Sequence, residues 1–353
     1  MQSNSPVLLA GHGSRREESN EQVREVAAAL ESRLGERVKP AYIELTEPLI
    51  HEGITELAPE VDSITVVPLS LFAAGHVKND IPLVVQHARQ QYPEVEFAYG
   101  SNLGARPEMI EIVADRIDAA AGNMTADPKT DDVAVIFVGR GSSDPDANAE
   151  AYRLARFVQE GRAFSRVEPT FIGITEPRLE QTLTEVPRHD PDAVIVMPYM
   201  LGNGVLTQRI NDKAETFDAK HPTIETATTD VLGVDNRLIR ALEYRVMEAR
   251  EGAVSMSCDS CIYKVTLNDY EDEVGGEQAF VDSLEHTLAH VSDAHEHNHD
   301  HGDGDGHCHD HSQGDDHEHG NNHGHDHGHG DDHEHDAGHE HEDDHHSHAG
   351  STD

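Results

Sequence analysis

The sequence is poor in cysteine and has no long apolar run. Three cysteines among 353 residues are too few for the disulfide framework of a secreted protein. No stretch approaches the roughly 18 apolar residues that a membrane-spanning helix requires, and residues 1–14 lack the charged start and apolar core of a signal peptide. These absences predict a cytoplasmic protein that does not span a membrane.

Positive charge is also scarce. The chain carries 26 Lys and Arg residues against 68 Asp and Glu residues, a formal net charge of −42, and it has no tryptophan. Nucleic acids and anionic membranes attract basic surfaces, so neither is an expected partner. Only six of the basic residues are Lys. This composition resembles that of cytoplasmic proteins from salt-loving archaea, in which high salt screens the acidic charges.

The C-terminal sixth of the chain lacks the side chains that build a core. Residues 292–353 contain no aromatic or branched aliphatic side chain, so nothing there offsets the entropy cost of ordering the chain. We therefore predict a disordered tail. It holds 20 histidines, a composition typical of metal binding, with a solvated spacer as the alternative.

Short apolar runs alternate with amphipathic segments over residues 1–251, which is the pattern of βαβ units with parallel strands. We predict the α/β class, with two tandem doubly wound domains that each contain a four-stranded parallel sheet. In the first domain the expected strands are 7–11, 38–43, 64–68 and 95–98, and the expected helices are 17–34, 48–58, 81–91 and 107–121.

The pattern is an internal repeat. Val7-Leu-Leu-Ala-Gly-His-Gly-Ser14 corresponds to Val135-Ile-Phe-Val-Gly-Arg-Gly-Ser142, and later motifs correspond at offsets of 128 to 130 residues. We predict four parts: a first repeat at 1–123, a second repeat at 124–251, a cysteine-containing segment at 252–291 and the tail at 292–353.

Two histidines follow different strands of the first repeat. In a parallel α/β sheet, ligands bind at the carboxyl ends of the strands. His12 follows the first strand and His76 follows the third, so both belong at that edge, where two imidazoles could hold a divalent transition metal. The alternative is that His12 is only a polar loop residue between glycines. The second repeat keeps its glycines but has Arg140 and Val205 at the equivalent positions, which favours a functional role for the histidines.

Glu47 is the predicted catalytic carboxylate of the same region. It lies in Thr46-Glu-Pro48, where a threonine could cap a helix and an acid in the first turn would favour the helix dipole. Because the triplet recurs at Thr175-Glu-Pro177, helix capping is a serious alternative to catalysis. Glu44 is a weaker candidate for the same role.

Four motifs in this order carry a resemblance to a known family. The sequence from about residue 6 to residue 251 resembles the class II tetrapyrrole chelatases of the CbiX and SirB type, in the long form made of two fused repeats. The motifs are Gly11-His-Gly-Ser-Arg15, Glu44-Leu-Thr-Glu-Pro48, Val67-Pro-Leu-Ser-Leu-Phe72 and Gly75-His-Val-Lys-Asn-Asp-Ile-Pro82.

The resemblance implies insertion of a divalent metal ion into sirohydrochlorin. It implies that His12 and His76 bind the metal, that His12 and Glu47 are catalytic, and that the macrocycle lies in a cleft between the two domains. The macrocycle contacts that it implies are Glu47, Leu71, Phe72, Ala73, Ala74, Gly75 and His76.

The implied reaction needs bases and cations. Metal insertion expels two pyrrolic protons, so a histidine that presents the metal can also accept a proton, and Glu47 can receive or relay the second. Sirohydrochlorin carries several carboxylates, so a chain this acidic needs cations near the cleft. The candidates are Arg15, Arg16, Lys78, Arg106, Arg140 and Arg209.

The segment Met256-Ser-Cys-Asp-Ser-Cys261 resembles an element that some long-form cobaltochelatases carry beside a histidine-rich stretch, where an iron–sulfur cluster is implied. A [4Fe-4S] cluster takes four thiolates, whereas this chain offers Cys258, Cys261 and Cys308 of the tail. Two subunits of a homodimer would share the cluster, or another ligand would complete it. A zinc site and a redox-active cysteine pair remain alternatives.

Co²⁺ is the metal substrate that we expect, in an anaerobic-type route to cobalamin, because of the long form, the cysteine element and the tail. Fe²⁺, which would give siroheme, and Ni²⁺ are alternatives, because imidazole ligands suit all three metals. A different class of function is metal storage or a metallochaperone, in which the α/β domains only dock a partner and the tail carries the function.

Overall fold

The computed structural model describes residues 5–254. Strands and helices alternate along this range, as the apolar pattern predicts. The first repeat contains β1 (Val7–Gly11), α1 (Glu17–Leu34), β2 (Val38–Tyr42), α2 (Ile50–Leu57), β3 (Ser63–Pro68), α3 (Ile81–Gln91), β4 (Glu96–Tyr99) and α4 (Pro107–Ala121). The second contains β5 (Val133–Gly139), α5 (Pro145–Gln159), β6 (Arg166–Phe171), α6 (Leu179–Glu185), β7 (Ala193–Pro198), α7 (Val205–Lys220), β8 (Glu225–Thr228) and α8 (Asn236–Arg250).

The strands form two four-stranded parallel sheets, which confirms the predicted fold class. The strand order is β2-β1-β3-β4 in the first repeat and β6-β5-β7-β8 in the second. In each repeat the chain starts in a central strand, continues to the edge strand beside it, and then crosses back to the strand on the other side of the first one. The carboxyl ends of β1 and β3 are therefore neighbours at the point where the winding direction reverses, which is where ligands bind in this architecture.

One hydrophobic core joins the two repeats. Alternate residues of a strand point to opposite faces of its sheet, and Val7 and Leu9 of β1 belong to the same buried cluster as Val133 and Val135 of β5. Helices α1, α4, α5 and α8 contribute to this shared cluster, and the outer face of each sheet has a smaller cluster of its own. The two repeats thus belong to one compact unit. The predicted boundaries at residues 123 and 251 stay predictions.

The repeats match in their unusual backbone positions as well. Gly13 and Gly141 have φ values of 94° and 88°, and a Cβ added to either would lie 1.8 or 2.0 Å from a carbonyl oxygen. Only glycine fits there. Leu45 and Ile174 also share a left-handed conformation, with φ of 66° and 65°. These turns therefore belong to the fold that both repeats share.

The predicted element boundaries differ from the observed ones by a few residues. Helix α2 begins at Ile50 instead of residue 48, and β2 ends at Tyr42. Strand β4 is shifted by one residue toward the C-terminus. Within residues 5–254, no helix is both long and apolar enough to cross a membrane.

Candidate active site

His12 follows β1 at the carboxyl edge of the first sheet. Its Nδ1 lies 3.2 Å from the carbonyl oxygen of Gly13 and donates to it. The Nε2 atom, which then carries a lone pair, lies 3.6 Å from Oε1 of Glu44. Glu44 is brought there by the turn after β2, where its backbone N–H donates to the carbonyl oxygen of His12 over 3.1 Å.

His76 begins a five-residue turn that we call the His76 turn (His76–Asp80). It is a single π-helical turn in which the N–H of Ile81 donates to the carbonyl oxygen of His76. The Nδ1 of His76 donates to Oδ2 of Asp80 over 2.5 Å. A metal-binding histidine commonly donates its other ring N–H to a carboxylate in this way, which orients the ring and leaves Nε2 for the metal.

The two imidazoles meet at the reversal point of the first sheet. Their ring centroids are 5.0 Å apart and the rings are nearly perpendicular, with an angle of 88° between them. Within residues 5–254, no group of three or more His, Cys, Asp or Glu side chains is arranged to hold a metal ion. A metal on the histidine pair would thus keep open positions for water or for another ligand.

The surroundings favour a neutral His12. Burial lowers the pKa of His12 below its ordinary value, and the neighbouring His76 and Arg140 act in the same direction. The carboxylate of Glu44 opposes them and raises the pKa. Because only the neutral imidazole binds a metal ion, the lowered pKa favours metal binding at neutral pH.

A cavity of about 520 Å³ lies between the two repeats and contains both histidines. This volume is in the range of pockets that hold small organic ligands. The rings of Phe72 and Tyr199 stack across the repeats on its wall, with centroids 5.2 Å apart. Five predicted contact residues line the cavity, namely Leu71, Phe72, Ala74, Gly75 and His76.

Two of the predicted site residues lie elsewhere. Ala73 is 7% exposed and is not part of the cavity lining. Glu47 is exposed to solvent and also lies outside the lining. The structure does not bring Glu47 to the histidines, and its proposed catalytic role stays a prediction.

The helix-capping alternative for Glu47 is wrong. Helix α2 begins at Ile50, and its acidic first-turn residue is Glu52, whose carboxylate accepts from the N–H of Leu49 over 2.7 Å. Thr46 is three residues before the N-cap position and does not cap the helix. The chain turns at Leu45, so Glu44, ranked lower from the sequence, is the carboxylate that lies beside His12.

Sequence reasoning missed Asp80. The signal was available, because an i, i+4 pair lies on one face of a helical turn and His76 and Asp80 have that spacing. The predicted helix begins only at residue 81, however, so the sequence pattern predicts no helical register for residues 75–80. The π-helical turn decides the contact.

The predicted substrate-binding cations have different surroundings. Arg140 is exposed and lines the cavity. The side chain of Lys78 is only 6% exposed, and its Nζ lies 2.7 Å from Asp144 and 2.9 Å from Asp146. Contrary to the expectation, it does not line the cavity. Arg106 pairs with Glu108 and lies over the ring of Tyr244. Arg15 and Arg16 line a separate surface hollow beside α7, and Arg209 is exposed on α7.

The predictions for the C-terminal part fall outside the described residues. They concern Cys258 and Cys261 as ligands of an iron–sulfur cluster, the sharing of that cluster in a homodimer, and metal binding by the tail. All of them stay predictions.

The profile of the CbiX family matches residues 6–120 and again residues 134–249. Two relatives from Priestia megaterium align over most of the chain. A sirohydrochlorin cobaltochelatase is 32% identical over 269 residues, which cover 75% of this chain and 87% of that protein. A sirohydrochlorin ferrochelatase is 30% identical over 242 residues, which cover 68% and 88%.

Solved structures agree with these matches. SirB from Bacillus subtilis with Fe³⁺ is similar with a TM-score of 0.63 and 26% identity, over 70% of this chain and 97% of that one. The sirohydrochlorin chelatase SirB from Bacillus subtilis subspecies spizizenii, in complex with cobalt, has a TM-score of 0.60 and 26% identity, over 70% and 96%.

Proposed function

This chain belongs to the CbiX family, in its long two-repeat form, and from that premise we propose that it inserts Co²⁺ into sirohydrochlorin. The observation that carries the proposal is the pair of histidines in the cavity between the repeats. Each has its Nδ1 engaged by a hydrogen bond, and the two rings lie 5.0 Å apart.

A histidine pair suits a metal that has to be handed over. A closed site of four protein ligands holds its metal as part of the structure, whereas open positions let another ligand enter. In the proposed reaction the pyrrole nitrogens of the macrocycle take those positions and then replace His12 and His76. The metal is thus a substrate in transit.

The reaction releases two protons, because the free-base macrocycle exchanges two N–H protons for one divalent ion. We assign the first proton to the pair of His12 and Glu44, because that carboxylate lies 3.6 Å from the imidazole and a base must be within reach of the proton that it takes. Glu47 remains a proposed second acceptor, and its exposed position suits transfer of the proton to water.

The cavity offers contacts for a flat ring with acidic arms. We propose that the apolar wall with Phe72 and Tyr199 contacts the macrocycle. Arg140 lines the same cavity from the second repeat and would pair with a carboxylate of the substrate.

Cobalt is the proposed metal, with Fe²⁺ and Ni²⁺ as alternatives. The chain is similar to a cobaltochelatase and to a ferrochelatase at nearly equal identity, and imidazole ligands do not separate these metals by themselves. The cysteine element and the histidine-rich tail favour cobalt. The proposed route is anaerobic-type cobalamin synthesis.

The test is the initial rate of metal insertion into sirohydrochlorin, followed by absorbance, with Co²⁺, Fe²⁺ and Ni²⁺ in parallel and in high salt. We expect the highest kcat/KM with Co²⁺. The matched control is the full-length double variant H12A/H76A, which keeps the metal capacity of the tail and should insert at the uncatalysed rate. If the wild type inserts none of the three metals, metal storage becomes the better proposal.

A further inference from the structure

The second repeat lacks both histidines, yet it contacts the turn that carries His76. Lys78 lies in the middle of the His76 turn, and its Nζ donates to Oδ2 of Asp144 over 2.7 Å and to Oδ2 of Asp146 over 2.9 Å. Both aspartates belong to the start of α5 in the second repeat. We call these three residues the inter-repeat triad.

The side chains of the inter-repeat triad are largely shielded from solvent. The side chains of Lys78, Asp144 and Asp146 are 6%, 2% and 19% exposed. Asp144 is also the N-cap of α5, where its carboxylate accepts from the N–H of Asp146 over 3.0 Å. One of the two partners of Lys78, Asp144, is therefore fixed at a helix end.

Burial of these charges makes an incidental contact a poor explanation. Removing an ammonium and two carboxylates from water is costly, and an apolar contact of the same size often stabilises a fold as well or better. A buried ion pair does favour one defined geometry, because separating its partners would leave unpaired charges in the interior. The geometry specified here is that of the His76 turn.

The other residues of the turn are also held. Tyr99 donates its hydroxyl to the carbonyl oxygen of Val77 over 2.7 Å, and Asp80 accepts from His76. These two contacts come from the first repeat. The inter-repeat triad adds the contact that couples the turn to the second repeat.

We propose that Lys78 is a positioning residue, through which Asp144 and Asp146 of the second repeat hold the His76 turn so that the imidazole faces the cavity. The consequence for metal handling rests on the proposed function of His76. The second repeat thus acts on the reaction without supplying a metal ligand.

The test compares variants of the full-length chain. Lys78→Met leaves two buried carboxylates without a counter-charge and can fail to fold, so the triple variant K78M/D144N/D146N removes all three charges together. Asparagine keeps the capping oxygen at position 144. Lys78→Arg should keep more of the function than Lys78→Met does, because a guanidinium can also bridge two carboxylates. The matched control is Arg237→Met, since Arg237 joins α8 to Asp115 of α4 across the repeats but lies outside the cavity lining.

The first measurement is hydrogen exchange of backbone amides 76–81, which does not depend on any activity. We expect faster exchange there in the triple variant and unchanged exchange in Arg237→Met. Unchanged exchange in the triple variant would overturn the proposal, whether or not the protein is a chelatase.

The second measurement is KM for Co²⁺ in the insertion assay, with free Co²⁺ held by a metal buffer so that the tail does not change it. Loss of a group that orients a metal-binding histidine should raise KM by about tenfold or more, with a smaller change in kcat. In Lys78→Arg the rise in KM should be smaller than in the triple variant. A lower melting temperature with an unchanged KM would reduce the inter-repeat triad to a structural role. If the wild type inserts no metal, the proposed function is refuted. The hydrogen-exchange result alone then decides whether Lys78 positions the His76 turn.

Discussion

The first and second repeats share their strand order and two characteristic turns, but they differ in the side chains at the site. Both have the strand order of a doubly wound sheet, a glycine of positive φ after the first strand and a left-handed aliphatic residue after the second. At the four positions of the first-repeat site, however, the second repeat differs. Where the first repeat has His12, Glu44, His76 and Asp80, the second has Arg140, Gly173, Val205 and Arg209.

This difference separates what the fold needs from what the chemistry needs. The glycines recur because a Cβ would collide with a carbonyl oxygen in either repeat. The two histidines and two carboxylates do not recur, so the sheet and the turns at Gly141 and Ile174 form without them. The His76 turn also has no counterpart, because α7 begins directly at Val205. The second repeat instead contributes the far wall of the cavity and the aspartates that pair with Lys78.

The largest expected effect is the loss of either histidine. We expect His12→Ala or His76→Ala to lower kcat/KM for metal insertion by about 10³-fold or more, because each change removes a proposed metal ligand and His12→Ala also removes a proposed base. Arg140→Ala and Val205→Ala, the changes at equivalent positions, should cost far less. The melting temperature of all four variants checks that the fold is intact. Near-normal turnover of His76→Ala at saturating metal would contradict the two-histidine site.

The next effect separates the two candidate carboxylates. Glu44→Gln should lower kcat by about 100-fold, because a proton acceptor acts in the transition state, while sirohydrochlorin binding stays nearly unchanged. Glu47→Gln should have a smaller effect on kcat. Its equivalent in the second repeat, Glu176, is the control, because Glu176→Gln should leave kcat unchanged. Equal effects of the changes at 47 and 176 would mean that Glu47 has no catalytic role.

A smaller effect is expected at the cation that replaces His12. Arg140→Ala should raise the Kd for metal-free sirohydrochlorin about tenfold, or about 1.4 kcal/mol, since it removes the proposed partner of a substrate carboxylate. Fluorescence titration measures this Kd directly, and the control is Arg188→Ala, a change at an exposed arginine outside the cavity lining. An unchanged Kd in Arg140→Ala would assign carboxylate binding to another cation.

The smallest expected effect concerns the tail, residues 292–353. A chain that ends at Val291 should match the full-length enzyme when metal is in excess and fall behind by a few-fold when metal is scarce, because a metal-binding tail would raise the local metal concentration. Histidines protonate near their ordinary pKa of about 6.5, so this advantage should disappear at lower pH. An equal loss of turnover at every metal concentration would make the tail part of the catalytic core.

Much of the fold was predictable because its signals are local. The apolar runs of β1 and β3 and the periodic helices follow from neighbouring residues, and the repeat is visible at a constant offset. The positions of His12 and His76 at one sheet edge follow from the rule that parallel strands end together. The exact helix start at Ile50 was missed because the turn at Leu45 adopts a left-handed backbone that no apolar pattern encodes.

The sequence by itself determined the α/β class, the duplication and the two histidines as a candidate pair, since periodicity and strand order specify them. Only the tertiary structure decided that Glu44 and not Glu47 lies beside His12, and that Lys78 pairs with aspartates 66 and 68 residues away instead of facing the cavity. The physical reason is the same in both cases. These contacts depend on how a turn bends and how two sheets pack. They join side chains that are close in space, and the positions of these residues in the sequence do not encode that proximity.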